Sequence, residues 1–219
     1  MPLILHENID NGEIGLWKVS EEIETLLLLA NLSAPDAITY AGISALHRQK
    51  EWLATRALLN ELIKEPKLIK YHNDGRPFIE NSLTNISISH STGYISILLN
   101  SKSIPGIDIE LLNRKVGKVG SRFLSPNELE YCNIEAELAN HRMLVHWCAK
   151  EAIFKMVPFS NIEFATDIRI IISNYSEDAG SFQGIFNYKS GAIPITLYYK
   201  IIGEVLMVWG CVEENQFRI

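Results

Sequence analysis

Several ordinary signals are scarce in this chain, and each scarcity removes a class of protein. Cysteine is one. Cys132, Cys148 and Cys211 are the only three in 219 residues, and they form no C-x-x-C pair. An odd, scattered count is not a disulfide framework, so reduced thiols are expected. Cys148 reads as a small apolar filler rather than a nucleophile. Basic residues are outnumbered by acidic ones, for a net charge of −6. That balance argues against the basic footprint of a nucleic-acid binder, although a local patch is independent of the total. Long apolar runs are missing too: the longest, around "LLLLANL", falls far short of the ~20 residues a spanning helix needs. The apolar run in "MPLILHENID" is too short for a signal peptide. There is no low-complexity tract and no short-period repeat. A soluble, cytoplasmic protein that binds neither membrane nor nucleic acid is expected.

What is present is an ordinary globular composition, 47% hydrophobic and 21% charged, in a length that suits one large domain or two small ones. Residues 3–5 and 14–19 read as short strands. "SEEIETLLLLANL" reads as a helix opened by Ser20 with acids in its first turn. "ALHRQKEWLATRALLNELIK", 45–64, is the first clear helix, with Arg48, Lys50 and Arg56 as its cations and Pro66 beyond its end. "HNDGRPFI", 72–79, reads as a turn and a short extended piece. "NISISHSTGYISILLN", 85–100, alternates as a hairpin joined at "HSTG". "SIPGIDIELL", 103–112, is a further strand. "SPNELEY" carries Ser125, Pro126 and Glu128 in the spacing of a capping box. A second long helix covers about 139–157, stopping before Pro158. "FATDIRIIIS", "SFQGIFNY", "ITLYYKII" and "VLMVWGCV" read as strands. The order suggests an α+β chain of two similar halves meeting near residue 105.

Four stretches carry candidate chemistry, and each has a plain reading beside the functional one. In "GIDIE" the two-residue period of a strand puts Asp108 and Glu110 on one face. Paired carboxylates suit a hard divalent cation held by oxygen, or a charged strand edge that discourages aggregation. In "WCAKEAIFK" Trp147, Glu151 and Lys155 share a helix face. Glu151 and Lys155 are either a third carboxylate with a phosphate-neutralising lysine, or a solvated pair worth about 0.2–0.5 kcal/mol. Ser89 and His90 are either anion contacts or hairpin polar groups. Arg76 in "GRP" is either a phosphate clamp or a surface charge.

Taken together and in order, "GRPFI", "NISISHST", "GIDIE", "RFLSPNELEY" and "WCAKEAIFK" resemble the 4′-phosphopantetheinyl transferases, in particular the long single-chain type that activates surfactin synthetase. The resemblance covers roughly residues 45–205. It implies a pseudo-dimer of two α/β halves, 1–104 and 105–219, with the active site in the cleft between them. It implies transfer of phosphopantetheine from coenzyme A to a serine of an apo acyl or peptidyl carrier protein, releasing adenosine 3′,5′-bisphosphate. Asp108, Glu110 and Glu151 would hold Mg²⁺ or Mn²⁺. Asp108, Glu151 and Lys155 would be catalytic, with Glu151 as ligand, base or both. Arg56, Arg76, Ser89, His90, Asp108, Lys150 and Lys155 would contact coenzyme A. A monomer is implied. The alternatives are a Mg²⁺-dependent phosphohydrolase or nuclease, and a non-catalytic binder of coenzyme A or carrier protein. One departure stands out: "SAPDAITYAGIS", 33–44, has no cation where such relatives often carry lysines for the 3′-phosphate. Phe123, Leu124 and the basic run "NRKVGK", 113–118, read either as a carrier-docking rim or as a solvated loop.

Overall fold

The computed structural model describes residues 2–172, 176, 178–188 and 191–217. Ser173, the last residue of the "FATDIRIIIS" run, lies outside them. The chain is α+β and divides into two compact units, Met1–Lys102 and Ser103–Ile219.

In the first unit β1 (Leu3–Ile9) and β2 (Gly12–Lys18) form a hairpin longer than the sequence suggests. Asp10 and Asn11 close it, Asn11 taking φ 56° in the left-handed region that asparagine tolerates. Two short helices follow, α1 (Ile23–Ala30) and α2 (Ala34–Ala41), and then the 18-residue α3 (Leu46–Ile63). One expectation fails here and one helix goes beyond what was expected. Ser20 does not open α1, which starts after Glu22. The segment 33–44, noted only for lacking cations, contains α2: Ser33 Oγ accepts from the Asp36 N–H, and Pro35 sits in the first turn. β3 (Ile69–Tyr71) pairs with β4 (Pro77–Ile79). β5 (Asn85–Ser91) and β6 (Tyr94–Asn100) are joined by Thr92 and Gly93, the glycine at φ 76° supplying the positive dihedral of a two-residue hairpin turn. The sheet order is β1-β2-β6-β5, all antiparallel. Ile86, Ile88, Ile95, Ile97 and Leu99 pack against Leu53, Leu58 and Leu59 of α3, so the alternation read in the sequence is the core face.

The second unit begins with β7 (Ile104–Leu111), an edge strand paired to β11 (Val205–Val212), with β10 (Gly191–Ile202), β9 (Ala179–Tyr188) and β8 (Ile168–Ile171) beyond it. Between β7 and β8 lie α4 (Gly120–Phe123), α5 (Pro126–Cys132), the 18-residue α6 (Ala139–Met156) and α7 (Phe164–Asp167). The capping box of α5 forms as its spacing suggests. "FATD" is a helical turn, not strand: Asp167 accepts from the Glu163 N–H at 2.9 Å and from the Thr166 hydroxyl, which closes the turn. α6 crosses β7 so closely that a Cβ on Gly106 would lie 2.1 Å from the Ala152 carbonyl oxygen. Any larger residue there would lift the helix from the strand.

Candidate active site

Register decides which way the acids of β7 point. Asp108 lies opposite Val208 and Glu110 opposite Leu206. Directly paired residues share a face, and Val208 and Leu206 belong to the core beneath α6. Asp108 and Glu110 therefore face α6, each only 6% exposed. The charged-edge reading fails on burial: these carboxylates are inside.

The facing surface of α6 carries Trp147, Glu151 and Lys155. Lys155 Nζ donates to Asp108 Oδ1 at 2.9 Å and to the Ile107 carbonyl at 2.7 Å. The indole N–H of Trp147 donates to Glu110 Oε1 at 3.2 Å, and Arg114 forms an ion pair with the same carboxylate. Trp147 is fixed in turn by Phe123, edge-on at 5.1 Å. Glu151 is partly buried between these groups. Burial foremost, and then the charge of Asp108, hold its carboxyl above the ordinary range against the pull of Lys155 and Arg114. The Cys148 thiol behind them is pushed well up by burial and by Asp108, which keeps it protonated and unreactive.

The donor set is oxygen-only, and Asp108 and Glu151 repel each other, so in kind the acids fit a hard divalent cation. In position Lys155 and Arg114 hold two of them, and among the described residues no group of three His, Cys, Asp or Glu side chains stands close enough to share a metal.

Lys150, expected at coenzyme A, points elsewhere. It is fully buried, and its three N–H groups go to Glu128 Oε2 at 2.7 Å, the Phe164 carbonyl at 2.8 Å and the Ile168 carbonyl at 2.7 Å. Glu128 also accepts from the Ser125 and Ile170 N–H groups. Burial raises its carboxyl, but Lys150 and those N–H groups outweigh it and the net shift is downward. Burial lowers the Lys150 ammonium, with Glu128 opposing. Lys150 is thus a joint between α5, α6, α7 and β8, and reaching a phosphate would break three bonds. Phe123 and Leu124, offered as a docking rim, are buried at 2% and 3% and belong to the core.

In the first unit Arg56 is also sequestered. Its Nε meets Asp36 Oδ1 at 3.2 Å, and its guanidinium lies 3.4 Å from the centre of the Trp52 ring. Asp36 was missed because α2 was missed, yet the signal was there: a serine followed three residues on by an acid, with a proline between. Arg76 is half-buried and pairs with Asp74, donating at 2.8 and 2.6 Å. Ser89 is buried in β5 opposite Ser96, and His90 is exposed.

A buried acid pair on an edge strand, faced by a helix that brings a carboxylate and a lysine to it, has the kinds of group that phosphoryl-group chemistry uses. Residues 105–197, which hold all of it, match the family model of the 4′-phosphopantetheinyl transferase superfamily. No curated protein matches the chain.

Proposed function

We propose that the chain is a phosphopantetheinyl transferase of the long, single-chain, surfactin-synthetase-activating type. It moves the 4′-phosphopantetheine arm of coenzyme A to a serine of an apo acyl or peptidyl carrier protein and works as a cytoplasmic monomer. The observation that carries the reading is the Lys155–Asp108 contact beside Glu151, inside the segment that matches the superfamily. The serine oxygen attacks the phosphorus that bears pantetheine, and the bond to the bridging oxygen breaks. Adenosine 3′,5′-bisphosphate leaves with the electron pair. Lys155 neutralises the pyrophosphate, exchanging a carboxylate partner for a phosphoryl one. Glu151 takes the serine proton. Its raised proton affinity is the direction a base needs. Asp108, Glu110 and Glu151 are the residues that would hold Mg²⁺ or Mn²⁺, which supplies charge stabilisation at the pyrophosphate oxygens. Arg76, Ser89 and His90 serve the nucleotide phosphates in the pseudo-dimeric arrangement that the resemblance implies. Lys150 and Arg56 are left out of the coenzyme A set, because the three donors of Lys150 are engaged and Arg56 is buried against Asp36 and the Trp52 ring.

The test is a mass measurement. Incubation with an apo carrier protein, coenzyme A and Mg²⁺ adds one phosphopantetheine to a carrier serine, and Asp108→Ala and Glu151→Gln each abolish the gain. No gain with fatty-acid, polyketide and nonribosomal-peptide carriers, or full activity in either variant, overturns the reading.

A further inference from the structure

The basic run 113–118 does not project as a free loop. Asn140, in the first turn of α6, donates from its amide to the Arg114 carbonyl at 2.9 Å and accepts from the Val116 N–H at 3.2 Å. It therefore ties the chain on both sides of Lys115 to the helix. Val116 is buried beneath, which fixes the loop from below. With the backbone so held, Arg114 turns back toward β7, pairs with Glu110 and lays its guanidinium 5.3 Å from the centre of the Trp147 ring. The other end of the acid pair has the parallel arrangement, Lys155 on Asp108. Each acid of β7 is thus already met by a cation of the protein itself.

We propose that Arg114 is a built-in counter-ion of Glu110 that competes with the divalent cation for that carboxylate, and so sets how tightly the site takes metal. The inference rests on the reading of Asp108, Glu110 and Glu151 as the metal-holding acids. A guanidinium is an effective competitor here. It is planar, weakly hydrated and suited to a carboxylate, and the indole face adds an attraction of its own. Its side chain is 45% exposed, so it can leave for solvent without disturbing the core. Metal entry must replace the Arg114–Glu110 contact, and the free energy of that contact is subtracted from metal affinity. The same contact accounts for a site whose acids are of the right kind yet do not converge on one point.

Mn²⁺ titration of the full chain, followed by the electron paramagnetic resonance signal of free Mn²⁺, tests this without recourse to activity. Arg114→Gln is expected to bind Mn²⁺ roughly twofold to fivefold more tightly than the wild type, the range of a partly exposed ion pair. Arg122→Gln, the same charge change on an exposed residue of α4, is expected to match the wild type. Unchanged or weaker binding by Arg114→Gln overturns the inference alone, as does equal tightening by Arg122→Gln, which would mean a general field effect. Absence of Mn²⁺ binding in wild type and Arg114→Gln alike overturns the acid set as a metal site, and the inference with it.

Discussion

In the first unit Ser33 caps a short helix, Asp36 stands three residues on, and its carboxylate meets Arg56 inside α3, twenty residues later. In the second, Ser125 caps a short helix, Glu128 stands three residues on, and its carboxylate meets Lys150 inside α6, twenty-two residues later. Each acid uses a capped helix end to present a charge inward, and each cation fixes how its 18-residue helix is turned about its own axis. The difference is in what the helix then displays. One residue beyond Lys150 is Glu151, and five beyond is Lys155, both facing acids on β7. The same steps beyond Arg56 give Ala57, which is core, and Glu61. The two helices are anchored alike, and α6 in addition turns a carboxylate and a lysine toward the acids of β7. The anchor and the face turned to β7 are therefore separable in this molecule, and substitutions should separate them.

The largest effect is expected from Glu128→Gln. The buried Lys150 ammonium then loses its counter-charge while keeping two carbonyls, and breaking a buried pair on one side costs about 3–5 kcal/mol. Asp36→Asn should cost less, about 1–3 kcal/mol, because Arg56 keeps the Trp52 ring. Urea denaturation of both variants measures the gap. Equal losses would mean that the two anchors are equivalent and that saturation of Lys150 by three acceptors adds nothing.

Acid sharpens the same contrast. The Glu128 carboxyl is depressed in the folded protein, so its contribution to stability is complete above the ordinary carboxylate range and is lost as pH falls through the folded value. The stability difference between wild type and Glu128→Gln should hold constant at neutral pH and shrink below about pH 4.5, the ordinary glutamate value. A gap that stays constant into that acid range would show that Glu128 acts through shape and not through charge.

How much of this was legible in the sequence follows from the range of the forces involved. The face that α6 turns to β7 was legible because helical period and strand alternation are local: Trp147 and Lys155 do bond to its acids, and Glu151 feels the charge of Asp108. The directions of Lys150 and Arg56 were not, since each answers to an acid some twenty residues away. "FATD" was read as strand from its apolar flank, but the Asp167 side chain folds it into a turn, and that turn supplies the Phe164 carbonyl to Lys150. Phe123 and Leu124 looked like a rim because a short helix leaves little periodicity to show which side is buried. The role of Arg114 depends on Asn140, twenty-six residues on, and no spacing rule links them.

A middle-sized effect belongs to Arg76 of the first unit. Arg76→Ala should raise KM for coenzyme A about tenfold, the worth of one charge-assisted contact, and change stability by less than about 0.5 kcal/mol. Arg56→Lys should do the reverse, lowering stability with KM nearly unchanged, because Arg56 is buried against Asp36 and the Trp52 ring. Steady-state kinetics beside urea denaturation would tell them apart. A KM effect at Arg56 that matches the one at Arg76 would return Arg56 to the coenzyme A site.

The smallest effect expected concerns the 3′-phosphate of coenzyme A. Residues 33–44 carry no cation, and Asp36, the charge that α2 does supply, is spent inward on Arg56. The cations at the start of α3 also have acidic neighbours, Arg48 with Glu51 and Lys50 with Glu22, each at 3.4 Å. A 3′-phosphate would have to draw on pairs already formed at the surface, where each contact adds at most about 1 kcal/mol. Catalytic efficiency with coenzyme A and with its 3′-dephospho form should therefore differ by less than about fivefold. A hundredfold preference for coenzyme A would mean that the first unit holds a strong 3′-phosphate site, and the contrast between α3 and α6 would have to be redrawn.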